Sequence, residues 1–261
     1  MTMQASTSKK PNPKVAKQVR SEREDNLGWF TRHWGPDDGR TRLVLLGGTG
    51  PIDFRVRAAQ AHVRHDFTPS HWSHVALAGP RAKTMRDTKV VEISLAPAGG
   101  FGHPPKTNAL QRGKLGRYAD AGDFPNVAVF SVSVPWEHVE AAIARLEKQR
   151  PVIDLVELTV SWLAHAWGVG PAANPLQQEL GVPAAAAAEA LLNACGFDLS
   201  PGLTSRASSP EAIWQGSRWW WQYPGRESEK RDVTGAFFVA HVLGQGPKPE
   251  GLSTKVKAKK R

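Results

Sequence analysis

Residues 70–79, Ser-His-Trp-Ser-His-Val-Ala-Leu-Ala-Gly, run from a polar approach straight into a short apolar stretch closed by glycine. A brief apolar run bounded by turn-formers reads as a buried strand. Its backbone donors and acceptors must be met inside the fold, so the chain has to supply a sheet around it. His74 stands at the mouth of this strand. There a sheet holds the imidazole in place while a cleft stays within its reach, the placement that general-base chemistry needs.

Partners for this strand recur on both sides. Leu43-Val44-Leu45-Leu46 reads as a buried strand ending in Gly47-Gly48-Thr49-Gly50-Pro51, with a helix expected over 53–63. The strand, glycine turn and helix do not make a dinucleotide fingerprint, because Asp53 stands where the third glycine belongs, and no Lys-Ser/Thr pair makes a phosphate loop. Residues 89–95 alternate, with Val91, Ile93 and Leu95 on one face and Glu92 on the other. Across the polar turn 81–88, this segment is an antiparallel partner for 75–78, which brings Glu92 near His74. A carboxylate accepting from an imidazole fixes its tautomer and orients it.

The remainder alternates loops and helices. Residues 97–125, rich in Gly, Pro and Asn, read as one long loop over the cleft, followed by a strand over 127–134. Helices are expected over 136–149, with Val139, Ala142, Ile143 and Leu146 on one face, and over 153–167. Pro183 opens an alanine-rich helix through Cys195, with Gly196 just past its end. Ser209-Pro210-Glu211 starts another helix that reaches Trp219-Trp220-Trp221, and 236–243 reads as the last strand.

Composition sets the outer limits. With 40% apolar and 22% charged residues over 261 positions, a folded α+β body is expected. The formal charge of +10 is concentrated at the ends. Residues 1–23 and 248–261 each carry a net +5, so the body between them is formally neutral. The expected organisation is a basic disordered tail over 1–25, a single domain over 26–245 and a second basic disordered tail over 246–261. Such tails can contact nucleic acid or another polyanion without reading its sequence. Cys195 is the sole cysteine, which excludes an intrachain disulfide and a thiolate-rich metal site. No run approaches the length of a membrane span, so the chain reads as soluble and cytoplasmic, with no cofactor and no metal implied.

The Ser-His-Val-Ala-Leu strand, the Val-Glu-Ile strand, Pro151-Val152-Ile153-Asp154, the Asn174-Pro175 loop and the Ala-Cys-Gly-Phe-Asp-Leu helix end before Ser-Pro-Glu occur here in that order. In this order they resemble the circularly permuted NlpC/P60 papain-like proteins, related to the lecithin:retinol acyltransferase group. The resemblance covers roughly Leu43 to Trp219. It implies a permuted papain-like domain, a small antiparallel sheet packed on helices, with His74 as base and Glu92 as its orienting group. It also implies a nucleophilic cysteine at the start of the helix that Gly196 ends, some twelve residues before that glycine. Ala184 occupies this position. A helix N-terminus lowers a thiol's pKa and offers backbone donors to an oxyanion, and a methyl group uses neither. Cys195 lies eleven residues further along the helix, about 16 Å away, and reads as a buried helix-end thiol.

Three readings stay open on these residues: a natural pseudoenzyme that binds a protein partner, an alanine-substituted hydrolase or acyltransferase acting on amide, ester or thioester bonds, or a different register in which Ser208 or Ser209 serves. His71 and Trp72 flank the cleft as candidate binding residues. Trp219, Trp220 and Trp221 are a candidate stacking platform for a ligand or partner.

Overall fold

The computed structural model describes residues 17–21, 23–96, 102–148, 153–169, 173–222 and 232–244. Among these, six strands form one antiparallel sheet: β1 (Arg40–Gly47), β2 (His74–Ala78), β3 (Lys89–Glu92), β4 (Gln111–Lys114), β5 (Asn126–Pro135) and β6 (Val233–Phe238). Their order is β4-β3-β2-β1-β5-β6. Six helices accompany the sheet: α1 (Asn26–His33), α2 (Pro51–Ala59), α3 (Trp136–Leu146), α4 (Leu155–Trp167), α5 (Pro183–Ala194) and α6 (Pro210–Gln222).

The central strands are apolar on both faces because both faces are covered. On one face Leu43, Leu45, Val75, Leu77 and Phe130 pack with Trp162 and Trp214 from α4 and α6 and with the alanines of α5. On the other, Val44, Leu46, Ala76 and Val129 meet Trp29 and Phe30 of α1 and Tyr118. The helix starts follow local chemistry. Asp25 accepts from Gly28 N at 2.7 Å, Asp154 from Glu157 N at 3.0 Å, and Ser209 Oγ from Ala212 N at 3.2 Å.

The structure departs from the sequence expectations at several places. The supposed loop 97–125 contains β4 and a 3-10 turn at Leu115–Tyr118. Gln-Arg-Gly-Lys has no apolar alternation because an edge strand needs only backbone pairing to one neighbour. α1 is an additional helix, whose buried face is Leu27, Trp29 and Phe30. The helix expected over 53–63 leaves α geometry at Ala59 and ends as a 3-10 turn at Gln60–Val63. The last strand begins earlier, at Val233, and ends at Phe238. Contacts of the body also reach back beyond residue 26: Lys17 bridges Phe237, and the Arg20 guanidinium lies over the Phe238 ring. Residues 1–16 and 245–261, and with them most of both basic tails, lie outside the described residues, as do 97–101 and Pro151-Val152. No helix among the described residues is long and apolar enough to cross a membrane.

Candidate functional site

β2 and β3 pair with Ala76 opposite Glu92. His74 lies two residues before Ala76, so it and Glu92 share a face of the sheet and stand diagonal to one another, within reach of a long side chain. Glu92 Oε2 lies 2.8 Å from His74 Nε2. Both residues are buried. The approach to His74 is fixed by close packing. A Cβ on Gly47 would fall 1.9 Å from the His71 carbonyl oxygen, so the end of β1 can pass this segment only as glycine.

Two further side chains complete the cluster, and no periodic pattern marks either. The 3-10 turn at Leu115–Tyr118 swings Tyr118 under the imidazole, where its hydroxyl donates to Glu92 Oε2 and lies 3.0 Å from His74 Nε2. Arg117, from the same turn, pairs with Glu92 Oε1. Both carboxylate oxygens are thereby engaged. Burial alone would push the Glu92 carboxyl up, but bonds from His74 and Tyr118 and the charge of Arg117 hold it below the ordinary carboxylate value. Burial, reinforced by Glu92, pushes the Tyr118 phenol well up, so it stays a neutral donor. An ionised Glu92 places the imidazole hydrogen on Nε2 and leaves Nδ1 as an acceptor. Among the described residues Nδ1 has no hydrogen-bond partner.

His74 lines a cavity of about 230 Å³ at the end of the sheet. Its apolar wall comes from Ile52 and Val56 of α2, Ile93, Leu95, Phe124 and Val182. Its polar lining adds Asp53, Ser73, Ser94, Arg117 and Tyr118. Asp53 is the other site residue the sequence reading passed over; its signal was an acid in the first turn of a helix behind a glycine-rich turn. Burial pushes the Asp53 carboxyl up, against the hydrogen bond from Ser73 and the charges of His74 and Arg57. The cavity therefore combines an oriented imidazole acceptor with a carboxyl shifted toward its protonated form. Such a pair can recognise a polar group, or give and take a proton.

The expected nucleophile position is next to this cavity but not part of its lining. α5 packs against β2, and Val182, the residue before its first turn, lines the cavity with His74. Ala184 is buried two residues further on. Val182 offers α5 no side-chain cap. The hydroxyls in the cavity are engaged: Ser73 Oγ donates to Asp53 and accepts from Gly48 N at 3.0 Å, and Ser94 Oγ accepts from Ala96 N at 3.3 Å. Cys195 sits just past the far end of α5, where burial raises its thiol pKa. Ser209 is occupied as the cap of α6. Ser208 meets the start of α5 through its backbone, its carbonyl accepting from Val182 N at 2.9 Å, and its own hydroxyl is buried without a partner among the described residues.

The tryptophans and His71 take other places. Trp72 is core, its ring 5.1 Å from that of Trp214, and does not wall this cavity; it lies ahead of β2, where strand alternation does not apply, and packs on the face that carries Val75 and Leu77. His71 accepts from Asn126 Nδ2 through its backbone oxygen, and its imidazole does not line the cavity. The triplet is split by the helix turn of α6. Trp219 is half exposed, Trp220 packs on Phe197 and donates to the Asp198 and Leu199 carbonyls, and Trp221 lines a separate groove beside β6. Trp219 and Trp220 meet edge-on, their ring centroids 4.9 Å apart, while Trp221 faces the groove beside β6. No group of three His, Cys, Asp or Glu suited to a metal ion occurs among the described residues. Compared with protein-family models, curated proteins and solved structures, the chain matches none.

Proposed function

We propose that this chain is a binding module on a permuted papain-like scaffold, a pseudoenzyme that keeps the oriented histidine of a hydrolase without its thiol. The observation that carries the reading is a buried His74, held through Nε2, that lines a cavity beside the start of α5. Glu92 and Tyr118 hold that imidazole at Nε2. Orientation of this kind is what a covalent acyl-transfer site needs, and the one element missing is a nucleophile. The cavity then serves to recognise a polar group of a ligand or protein partner, with Asp53 as the second polar contact and the apolar wall gripping the rest. The second reading, an alanine-substituted amide, ester or thioester hydrolase with His74 as base, rests on the same oriented imidazole.

One experiment tests both. Cysteine is introduced at Ala184, and in a parallel variant at Val182, in a Cys195→Ala background, and the rate of alkylation by chloroacetamide is followed from pH 5 to 9. The expected result is rapid labelling at one position that persists at low pH, as a thiolate–imidazolium pair gives, and that His74→Ala abolishes. A rate that falls about tenfold per pH unit at both positions, as for an ordinary thiol, overturns the papain-like reading. Turnover of acyl esters or thioesters by the Ala184→Cys variant, lost in His74→Ala, favours the alanine-substituted hydrolase; turnover by the unmodified chain overturns both readings in favour of an active enzyme with another nucleophile.

A further inference from the structure

The body is formally neutral, yet its charge is segregated. Between Arg81 and Arg117 the chain carries eight Lys or Arg and only two acids, Asp87 and Glu92. Glu92 is buried and engaged with Arg117. What remains at the surface is strongly positive: Arg81, Lys83, Arg86, Lys89, Arg112 and Lys114 are all exposed. They surround β3 and β4, and β4 is an edge of the sheet.

Three of these cations, Arg86, Lys89 and Lys114, converge, with Arg117 beside them. Arg86, Lys114 and Arg117 line an open groove of about 560 Å³ whose floor includes Gly113 and Gly116, and Asp87 is its sole acid. Lys89 stands directly opposite Lys114 in the β3–β4 pairing. Like charges facing one another across a strand pair cost stability. Asp87 answers Lys114 and Glu147 answers Arg112, each at 2.9 Å, while no carboxylate among the described residues pairs with Lys89 or Arg86. Lysines alone can guard an edge strand against pairing with another chain. A guard does not require two facing lysines, nor arginines brought in from the turns before β3 and after β4.

We propose that this β3–β4 edge binds the phosphate backbone of single-stranded nucleic acid. Arginine forks match phosphate oxygens, and lysines supply point charges beside them. Arg112 and Lys114, two strand positions apart, stand about 6.8 Å from one another along β4, so both can meet phosphates of one flexible strand. Among the described residues between 81 and 117 no large apolar side chain is exposed, so the described surface recognises charge. A stiff duplex would meet so short an edge at few phosphates, whereas a single strand bends to follow it. Lys17, the first described residue, bridges Phe237 of β6 at the opposite edge of the sheet.

The test is fluorescence anisotropy of a fluorescein-labelled twenty-nucleotide oligo-dT with the full chain between 50 and 300 mM NaCl. It compares the parent, Arg86→Glu/Lys89→Glu/Lys114→Glu, the milder Arg86→Gln/Lys89→Gln, and a variant with the tail lysines changed to glutamine. Circular dichroism establishes that each is folded, and the Gln pair stands in if the triple variant is not. The expected result is at least a tenfold loss of affinity in the triple variant, with a log–log salt slope smaller by about 2, from three lost contacts at about 0.7 each. The tail variant keeps that component of the slope. Equal affinity and slope for edge variants and parent, with binding abolished by the tail variant, overturns the proposal. So does tighter binding of the parent to phosphatidylserine vesicles or polyglutamate than to the oligonucleotide. Aggregation as the only consequence of the edge variants leaves β4 with a guarding role and overturns it equally.

Discussion

Glu92 holds the site together at the scale of single residues. It accepts from Tyr118, His74 and Arg117 at once and is almost wholly buried, so removing its charge leaves Arg117 and the imidazole without their shared partner. Glu92→Gln is expected to lower stability by about 3 kcal/mol, as when one member of a buried pair is removed. Its pH signature has a definite sign. The carboxyl is held below its ordinary value of 4.5, so its stabilisation is complete above that value and is lost as pH falls below it. Urea unfolding at pH 7 and pH 4 should therefore show a smaller acid-side loss in Glu92→Gln than in the parent; an equal loss would contradict the assignment. Tyr118→Phe removes one donor and is expected to cost about 1–3 kcal/mol, by the same measurement.

At the scale of elements, α5 carries an acid in an unfavourable setting. Glu189 is buried in the helix, accepts from Ser200 N at 2.9 Å, and is pushed up by burial to about 7. A folded value above the unfolded one means the native state holds the proton longer. Its contribution is thus complete below about pH 4.5 and is lost as pH rises through about 7. Glu189→Gln keeps an acceptor for Ser200 N and removes the charge. It is expected to gain about 1–3 kcal/mol over the parent at pH 8 and little at pH 4. Denaturant midpoints at the two pH values check this, and equal gains at both would exclude a titrating origin. The start of β5 shows the opposite case, a polar side chain wholly satisfied. Asn126 donates to the His71 and His241 carbonyls at 3.0 and 2.7 Å and accepts from Ala240 N and His241 N at 3.0 and 2.9 Å. It thereby ties the approach to β2 to the chain beyond β6.

Across the whole molecule, the same region is closed by Arg57. From α2 it donates to the Ser70, Gly48 and His241 carbonyls and lies 3.0 Å from His241 Nδ1, joining four separate segments behind the cavity. Burial lowers its pKa to about 10, which leaves it charged at neutral pH. Lysine cannot reproduce a planar fork that serves several acceptors. Arg57→Lys is therefore expected to lower the melting temperature by roughly 5–10 °C, for about 2–3 kcal/mol lost. An unchanged melting curve would show that these bonds are replaced by water at no cost. By itself the sequence determined the strands through Leu43–Leu46, Val75–Ala78 and Val127–Val134, the antiparallel turn that sets Glu92 beside His74, and the helices around Val139 and after Pro183. These follow from periodicity and local turn chemistry, which a linear chain displays. Only the tertiary structure decided that Asp53, Arg117 and Tyr118 join His74, that Trp72 turns into the core, and that Val182 reaches the cavity ahead of Ala184. Those residues come from turns and helix ends, where no repeating pattern marks a direction, and long-range packing alone fixes where each side chain points.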